Sequence, residues 1–226
     1  MPGTITRSPD ILSSASDLRD AYNLELQSAS GNPVPFGDLI LEKGAITTVV
    51  IFIRHFFCVY DQDYVRSVSH HLTDSVLQTV SNTGGPIQLM IIGCGDPSLI
   101  APYVSETTGD VAQFPVYSDP DGKLYEKLHM KRTLTNIMRP PVYTHVGFWK
   151  SLGMTLRQAW GKGWKGLIGG RWDQNGGEWV FRHGRCVFGH RMENVSDHLT
   201  AEKLIEILER TGAGDGKGEN IKELVI

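Results

Sequence analysis

The clearest pattern along the chain is a run of β-branched and aromatic residues from Thr47 to Arg54, apolar until its last position. Continuous rather than alternating apolarity predicts a strand covered on both faces. From Asp61 to Val80 the apolar residues fall at Tyr64, Val65, Val68, Leu72, Val76, Leu77 and Val80, the spacing of a single helix. A second buried strand is predicted at Ile87 to Ile92, between Gly84-Gly85-Pro86 and Gly93-Cys94-Gly95. Asp96-Pro97 opens a helix to Thr107, with Pro97 in its first turn. Phe114 to Tyr117 reads as a short strand, and Ser118-Asp119-Pro120 caps a helix to His129. Strand and helix alternate throughout this stretch, which argues for an α/β fold with helices packed on an open sheet.

Both flanks add elements. Ala15 to Tyr22 forms a short helix capped by Ser14 or Ser16, and residues 1–14 read as disordered. Leu24 to Ser28 alternates weakly before the turn Gly31-Asn32-Pro33, and Phe36 to Leu41 makes a helical turn beneath the first central strand. Near the other end, Glu178 to Phe181 and Cys186 to His190 flank the tight turn Arg182-His183-Gly184-Arg185. This is an antiparallel hairpin at the end of the sheet, with Phe181 and Val187 packing inward. Ala201 to Arg210 is a final amphipathic helix stopped by Gly212. The main domain is expected over residues 15–212, with a tail at 213–226. Residues 131–172 break the alternation with Pro140-Pro141, glycines and tryptophans. Two readings stay open for them: an inserted lid over one end of the sheet, or aromatic packing over a sheet edge.

Composition narrows the function classes. The chain has 226 residues, 40% of them hydrophobic, enough for a core within one domain. A net charge of −3 gives no electrostatic case for nucleic acid, and the basic cluster Lys162, Lys165, Arg171 reads as a solvated loop. Three cysteines, Cys58, Cys94 and Cys186, are too few and too scattered for a disulfide framework or a zinc site. No metal, nucleotide or other cofactor is expected. Residues 1–16 show no apolar signal segment, and no apolar run has the length of a membrane span. The expectation is a soluble cytoplasmic protein without membrane partners.

The chemistry concentrates at Cys58. It lies between a buried strand and a helix start, where free N–H groups and the helix dipole favour a thiolate. Asp61, three residues on, works against this. Two like charges about 4 Å apart cost about 4 kcal/mol at an effective dielectric of about 20. That exceeds the dipole's benefit of about 0.3–1 kcal/mol, so Cys58 is expected to stay protonated unless Arg54, His55 or Arg191 compensates. Asp61 is also readable as a capping carboxylate. Cys94 and Cys186 sit in or beside strands and read as apolar fillers.

Specific words extend this into a resemblance. Phe-Ile-Arg-His-Phe-Phe-Cys (52–58) with Gln62-Asp63-Tyr64 resembles the Arg-His-Phe-x-Cys-x-x-Cys-Gln-Asp-Tyr segment of peroxiredoxin-like AhpC/TSA proteins common in fungi. Ile-Gly-Cys-Gly (92–95) with Pro102-Tyr103 is similar to the same family. So are Phe-Pro-Val-Tyr-Ser-Asp-Pro with Lys123-Leu124-Tyr125, Gln-Asn-Gly-Gly-Glu (174–178), and Gly-His-Arg-Met-Glu-Asn with Asp197-His198.

The resemblance implies a thioredoxin-like three-layer sandwich with a mixed sheet and terminal hairpin. It also implies a thiol-dependent oxidoreductase with Cys58 as nucleophile. The usual C-x-x-C is reduced to C-x-x-D by Asp61, the position at which peroxiredoxins proper carry the peroxide-reducing cysteine with threonine at the first, so Cys58 at the first position would act as a single cysteine, restored by an external thiol. Arg54, His55 and Arg191 complete the candidate catalytic set. Tyr60 and Trp172 are candidates for lining a small-molecule pocket. Gly176 and Gly177 stand where thioredoxins place a cis-proline, permitting close approach of a ligand or a tight turn. The alternatives are a redox-inactive isomerase, cyclase or lyase of an apolar metabolite, with Asp61 doing acid–base work, or a non-catalytic binding protein. A homodimer is compatible with each.

Overall fold

The computed structural model describes residues 14–41, 46–109, 114–135 and 170–213. The segment 131–172 therefore lies mostly outside the described residues, as do residues 1–13 and 214–226. Among those described, seven strands form one mixed sheet in the order β2-β1-β5-β4-β3-β6-β7. Its centre is β3 (Thr47–Phe52), parallel to β4 (Ile87–Cys94), which is parallel to β5 (Val116–Asp119). On the other side β3 pairs antiparallel with β6 (Gly177–Arg182), and β6 with β7 (Arg185–Arg191). The short strands β1 (Glu25–Gln27) and β2 (Pro33–Pro35) extend the β5 edge.

Every residue of β3 is buried, as its unbroken apolarity required. Its alternate side chains feed two cores. Val49, Ile51 and Ile53 pack under α3 (Val59–His71), α4 (Asp74–Gly84), α5 (Ile100–Thr107) and α7 (Ala201–Ala213). Val50 and Phe52 pack with α1 (Ala15–Tyr22), α2 (Phe36–Leu41) and α6 (Lys123–Lys127). The result is the expected three-layer α/β sandwich. Ser14 is the cap of α1, its hydroxyl accepting from the Asp17 N–H.

Several boundaries differ from the sequence reading, each for a local reason. The single helix expected from Asp61 to Val80 is two. Leu72 leaves helical geometry (φ −92°, ψ 59°), and the Thr73 carbonyl then accepts the Leu77 N–H to start α4. The apolar period runs on unbroken because both helices face the same core. The strand expected at Phe114 to Tyr117 lies two residues later, because Pro115 has no N–H to give the ladder. The helix expected to reach His129 begins only at Lys123, after Gly122 at φ 69°. There Asp119 accepts the N–H groups of Lys123 and Leu124. The last helix continues through Gly212 to Ala213.

The hairpin turn has both central residues at positive φ, His183 at 48° and Gly184 at 71°, as a two-residue type I′ turn demands. Phe181 faces the second core with Trp179 by ordinary alternation, and the register shift at Val180/Phe181 leaves Val187 unpaired opposite them, packed with Phe188 against the first. Phe181 and Val187 both point inward, into opposite layers.

Gly176 and Gly177 are tied to neighbouring backbone. A Cβ on Gly176 would lie 1.8 Å from the Phe52 carbonyl oxygen, and one on Gly177 would lie 2.1 Å from that of His190. Close approach at this pair is to neighbouring backbone of the same chain, at Phe52 and at His190. Gly176→Ala should therefore destabilise the fold by about 3 kcal/mol, since backbone must move. Gly31→Ala, at φ 78° with no atom within 4 Å, should cost only about 1 kcal/mol. Urea unfolding midpoints of the two variants measure the difference.

Candidate functional site

The chain leaves β3 at Phe52, turns through Arg54 to Phe57 and enters α3 with Cys58 as its N-cap residue (φ −74°, ψ 111°). Cys58 is 5% exposed and packs with Tyr60 and Val195. Its carbonyl already accepts the Gln62 N–H, the first bond of the helix. The sulfur is thus fixed at the positive end of α3, the geometry read from the sequence.

Arg54 is folded back onto it. Its Nη1 donates to Cys58 Sγ at 3.2 Å, its Nε to the Gln174 carbonyl at 3.1 Å and its Nη2 to the Trp172 carbonyl at 2.7 Å. The planar fork is clamped on three sides, so the charge faces the sulfur in one orientation. His55 takes a different part. Its ring lies 4.8 Å from that of Trp172, and burial, then the Arg54 charge, pushes its pKa down to about 3. It is a neutral imidazole, without the compensating charge the sequence reading allowed it. Its Nδ1 has no hydrogen-bond partner among the described residues.

Asp61 is fully buried in the first turn of α3. The Arg54 backbone N–H donates to its Oδ2 at 2.6 Å, and its Oδ1 lies 3.3 Å from His198 Nε2. Burial would raise this carboxyl; His198, by hydrogen bond and charge, and Arg54 outweigh it and hold it below the ordinary range. The thiol shows the opposite balance. Burial first, then the Asp61 charge, pushes Cys58 up to about 12, with Arg54 opposing. Arg54 supplies part of the anticipated compensation and is outweighed.

Arg191 is placed elsewhere. Its Nε donates to the Leu128 carbonyl at 2.7 Å and its guanidinium lies 5.5 Å from the centre of the Trp179 ring. The leading influences on Cys58 are burial, Asp61 and Arg54. Trp172 is 40% exposed beside His55, and Tyr60 is buried against the thiol. Cys94 is buried in the second core and Cys186 packs against it, both thiols pushed up by burial.

Sequence reasoning missed the residues behind Asp61. His198 Nδ1 lies 2.6 Å from Glu178 Oε1, and the other Glu178 oxygen lies 2.8 Å from His190 Nδ1. His190 Nε2 is 3.6 Å from Asp197 Oδ2. Glu178 and His190 are direct cross-strand partners on β6 and β7, and the His198 ring stacks on Tyr64 at 4.1 Å. A buried file of alternating acid and imidazole, Asp61–His198–Glu178–His190–Asp197, thus runs from the site toward the surface. The available signal was Glu178 itself, an acid two positions from Val180 on the core-facing side of a strand.

Burial opposes charge at both imidazoles and at Glu178, and their mutual pairing overrides it. His198 is raised to about 9, His190 to about 10, and Glu178 is lowered to about 2. Among the described residues no group of three or more His, Cys, Asp or Glu could hold a metal ion, and no helix is long and apolar enough to cross a membrane.

Comparison with known proteins adds the following. The family model described as AhpC/TSA antioxidant enzyme matches residues 71–194, more than half of the chain and beginning after Cys58. Peroxiredoxin-like 2C of Bos taurus is 29% identical over 195 residues, covering 82% of this chain and 76% of that protein. The Homo sapiens protein of the same name is 28% identical, covering 82% and 77%. Among solved structures, a cysteine-to-serine mutant of Xanthomonas campestris Peroxiredoxin Q superposes with a TM-score of 0.55. It is 11% identical and covers 91% of this chain and 99% of that one. The bacterioferritin comigratory protein of the same organism gives 0.53 at 11% identity, covering 86% and 95%. These two likenesses concern the fold.

Two outcomes follow from the electrostatics. The imidazoles bind protons more tightly folded than unfolded, so their contribution to stability is complete below about pH 6.5 and is lost as pH rises through about 9 to 10. Glu178 acts in the other direction, its contribution present above about pH 4.5 and lost as pH falls toward about 2. Thermal unfolding from pH 6 to 10.5 should show a falling midpoint, and Glu178→Gln should flatten that fall. Separately, Asp61→Asn removes a negative charge beside the sulfur and keeps an acceptor for the Arg54 N–H. It should lower the Cys58 pKa and speed iodoacetamide alkylation at pH 7, about tenfold for every pH unit by which the thiol's midpoint falls. An unchanged rate would mean the two side chains do not communicate.

Proposed function

Because the chain belongs to the family of AhpC/TSA antioxidant enzymes, we propose that it is a thiol-dependent oxidoreductase that reduces peroxides through Cys58 alone. The observation that carries this reading is the contact between Arg54 Nη1 and Cys58 Sγ, 3.2 Å long, with the guanidinium held by two backbone carbonyls. A fixed cation beside a helix N-cap sulfur lowers the cost of the thiolate and stabilises charge on a peroxide oxygen as its O–O bond breaks.

In the chemistry proposed, the Cys58 thiol loses its proton and the sulfur attacks one peroxide oxygen. The O–O bond breaks, the alkoxide or hydroxide leaves and takes a proton, and Cys58 becomes a sulfenic acid. With Asp61 at the third place after it, Cys58 has no partner thiol within the motif. Two equivalents of an external small thiol therefore complete the cycle, the first forming a mixed disulfide with loss of water, the second releasing Cys58 as a thiol. In the resting arrangement Cys58 is 5% exposed and its thiol is held protonated, chiefly by burial. Burial is the largest cause of its raised pKa, so admitting substrate and water itself favours the thiolate, with Arg54 already in position.

Asp61 as the acid–base group of an isomerase, cyclase or lyase draws less support. Its oxygens face the Arg54 N–H and His198 inside the protein, with none of its surface open to a substrate.

Cys58→Ser should abolish turnover of hydrogen peroxide or an alkyl hydroperoxide with dithiothreitol as reductant, while Cys94→Ser and Cys186→Ser retain it. Arg54→Lys keeps a cation but loses the fork. It should lower kcat/KM for peroxide by about 10–100-fold with the fold preserved, equivalent to about 1.4–2.7 kcal/mol of transition-state stabilisation. Equal losses in all three cysteine variants would contradict the assignment.

A further inference from the structure

We infer that Glu178 and His198 are positioning residues for Cys58: they hold the Asp61 carboxylate ionised beside the sulfur and so keep Cys58 a thiol until Asp61 takes up a proton. The inference deepens the reading of Cys58 as the reactive thiol and rests on it.

The geometry of His198 carries the argument. Its ring stands between two buried carboxylates, with Nδ1 2.6 Å from Glu178 and Nε2 3.3 Å from Asp61. A neutral imidazole has one N–H and can donate to only one of them; the hydrogen bond to Glu178 and the ion-pair contact to Asp61 together favour the charged ring, raised to about 9 by the two carboxylates against burial. Stacking on Tyr64 fixes its plane. Glu178 is fixed by β6 and by His190 across the ladder, and the file ends at Asp197, whose side chain is 18% exposed. Asp61 thus keeps its charge in a fully buried place because a cation is locked against it, and that cation is locked by Glu178.

Among the described residues, the groups acting with Asp61 come from several elements. They are Arg54, His55 and Cys58 from the strand-to-helix junction, Tyr103 of α5, Tyr125 of α6, and His198 ahead of α7. Of these, burial and the Asp61 carboxylate act to keep the thiol protonated, and Arg54 and the Asp61 backbone N–H act against them. His198 meets Asp61 at 3.3 Å, at the carboxylate oxygen that the Arg54 N–H does not use. Its influence passes through Asp61. Without the imidazolium, a fully buried Asp61 retains the Arg54 N–H and loses its main source of compensating charge. It then takes up a proton toward neutral pH and ceases to oppose the thiolate.

The test is alkylation of the full-length chain by iodoacetamide between pH 6 and 9, read by mass spectrometry at Cys58 and, as an internal control, at buried Cys94. His198→Asn should alkylate Cys58 at pH 7 at least tenfold faster than the unaltered chain, as a thiol midpoint about one pH unit lower would give. In Asp61→Asn the same His198 change should add less than twofold, because its route of action is gone. Glu178→Gln should act in the same direction and supports the inference should His198→Asn not fold. An unchanged or slower rate, a full additional gain on the Asp61→Asn background, or a parallel rise at Cys94 would overturn the inference. Because the readout is alkylation, a chain that failed to turn over peroxide would sink the proposed activity and leave this order of rates standing.

Discussion

The Asp61 carboxylate is the interaction on which the site depends. One oxygen takes the N–H of Arg54 where β3 ends, and the other faces the imidazole of His198 ahead of α7. Three separate parts of the chain therefore converge on one buried charge: the strand exit, the first turn of α3 and the segment that follows the hairpin. A charge fully removed from water persists only when paired and hydrogen-bonded. That requirement explains why a second buried acid, Glu178, and a second imidazole, His190, stand behind it in the hairpin ladder. The sheet supplies the rigidity. Glu178 lies opposite Ile51 on β3 and opposite His190 on β7, so its reach toward His198 is fixed by ladder register.

Opposing influences meet at the sulfur. Burial and Asp61 favour the thiol; Arg54, clamped by the Trp172 and Gln174 carbonyls, favours the thiolate. The balance at rest lies with the thiol, although the strand-to-helix position alone would suggest a reactive thiolate. Position supplies the dipole, and the residue at the third place after the cysteine decides whether its benefit is realised. Aspartate there puts a charge where a second cysteine would put a neutral thiol. The site therefore combines a nucleophile's geometry with a built-in restraint on its ionisation.

Much of the architecture was legible because it follows from backbone chemistry and apolar patterning. The central strands announced themselves by unbroken β-branched and aromatic runs, the hairpin by His183-Gly184, and Cys58 by its place between strand and helix. The break at Leu72 was not legible, because both helices bury the same face and the apolar period crosses the break intact. Arg54, His55 and Arg191 were all candidates to compensate the charge at Cys58, and the sequence did not say which of them would. Their roles separate only through what packs on them: two carbonyls for Arg54, an indole for His55, and Trp179 with the Leu128 carbonyl for Arg191. The acid–imidazole file stayed hidden because its members are spread from residue 61 to residue 198. Their adjacency comes from strand pairing across the hairpin and from the docking of the following segment on α3, neither of which a linear spacing encodes.

The central claim, a thiol restrained by a locked carboxylate, is tested most directly by the pKa of Cys58 itself. A chain with Cys94 and Cys186 replaced by serine and with cysteine labelled at Cβ reports the ionisation of this one sulfur through its carbon-13 chemical shift across pH. The account predicts a midpoint well above the ordinary thiol value of about 8.5 in the intact site. A midpoint below about 7 would mean that Arg54 and the helix dipole prevail over burial and Asp61, and would contradict it.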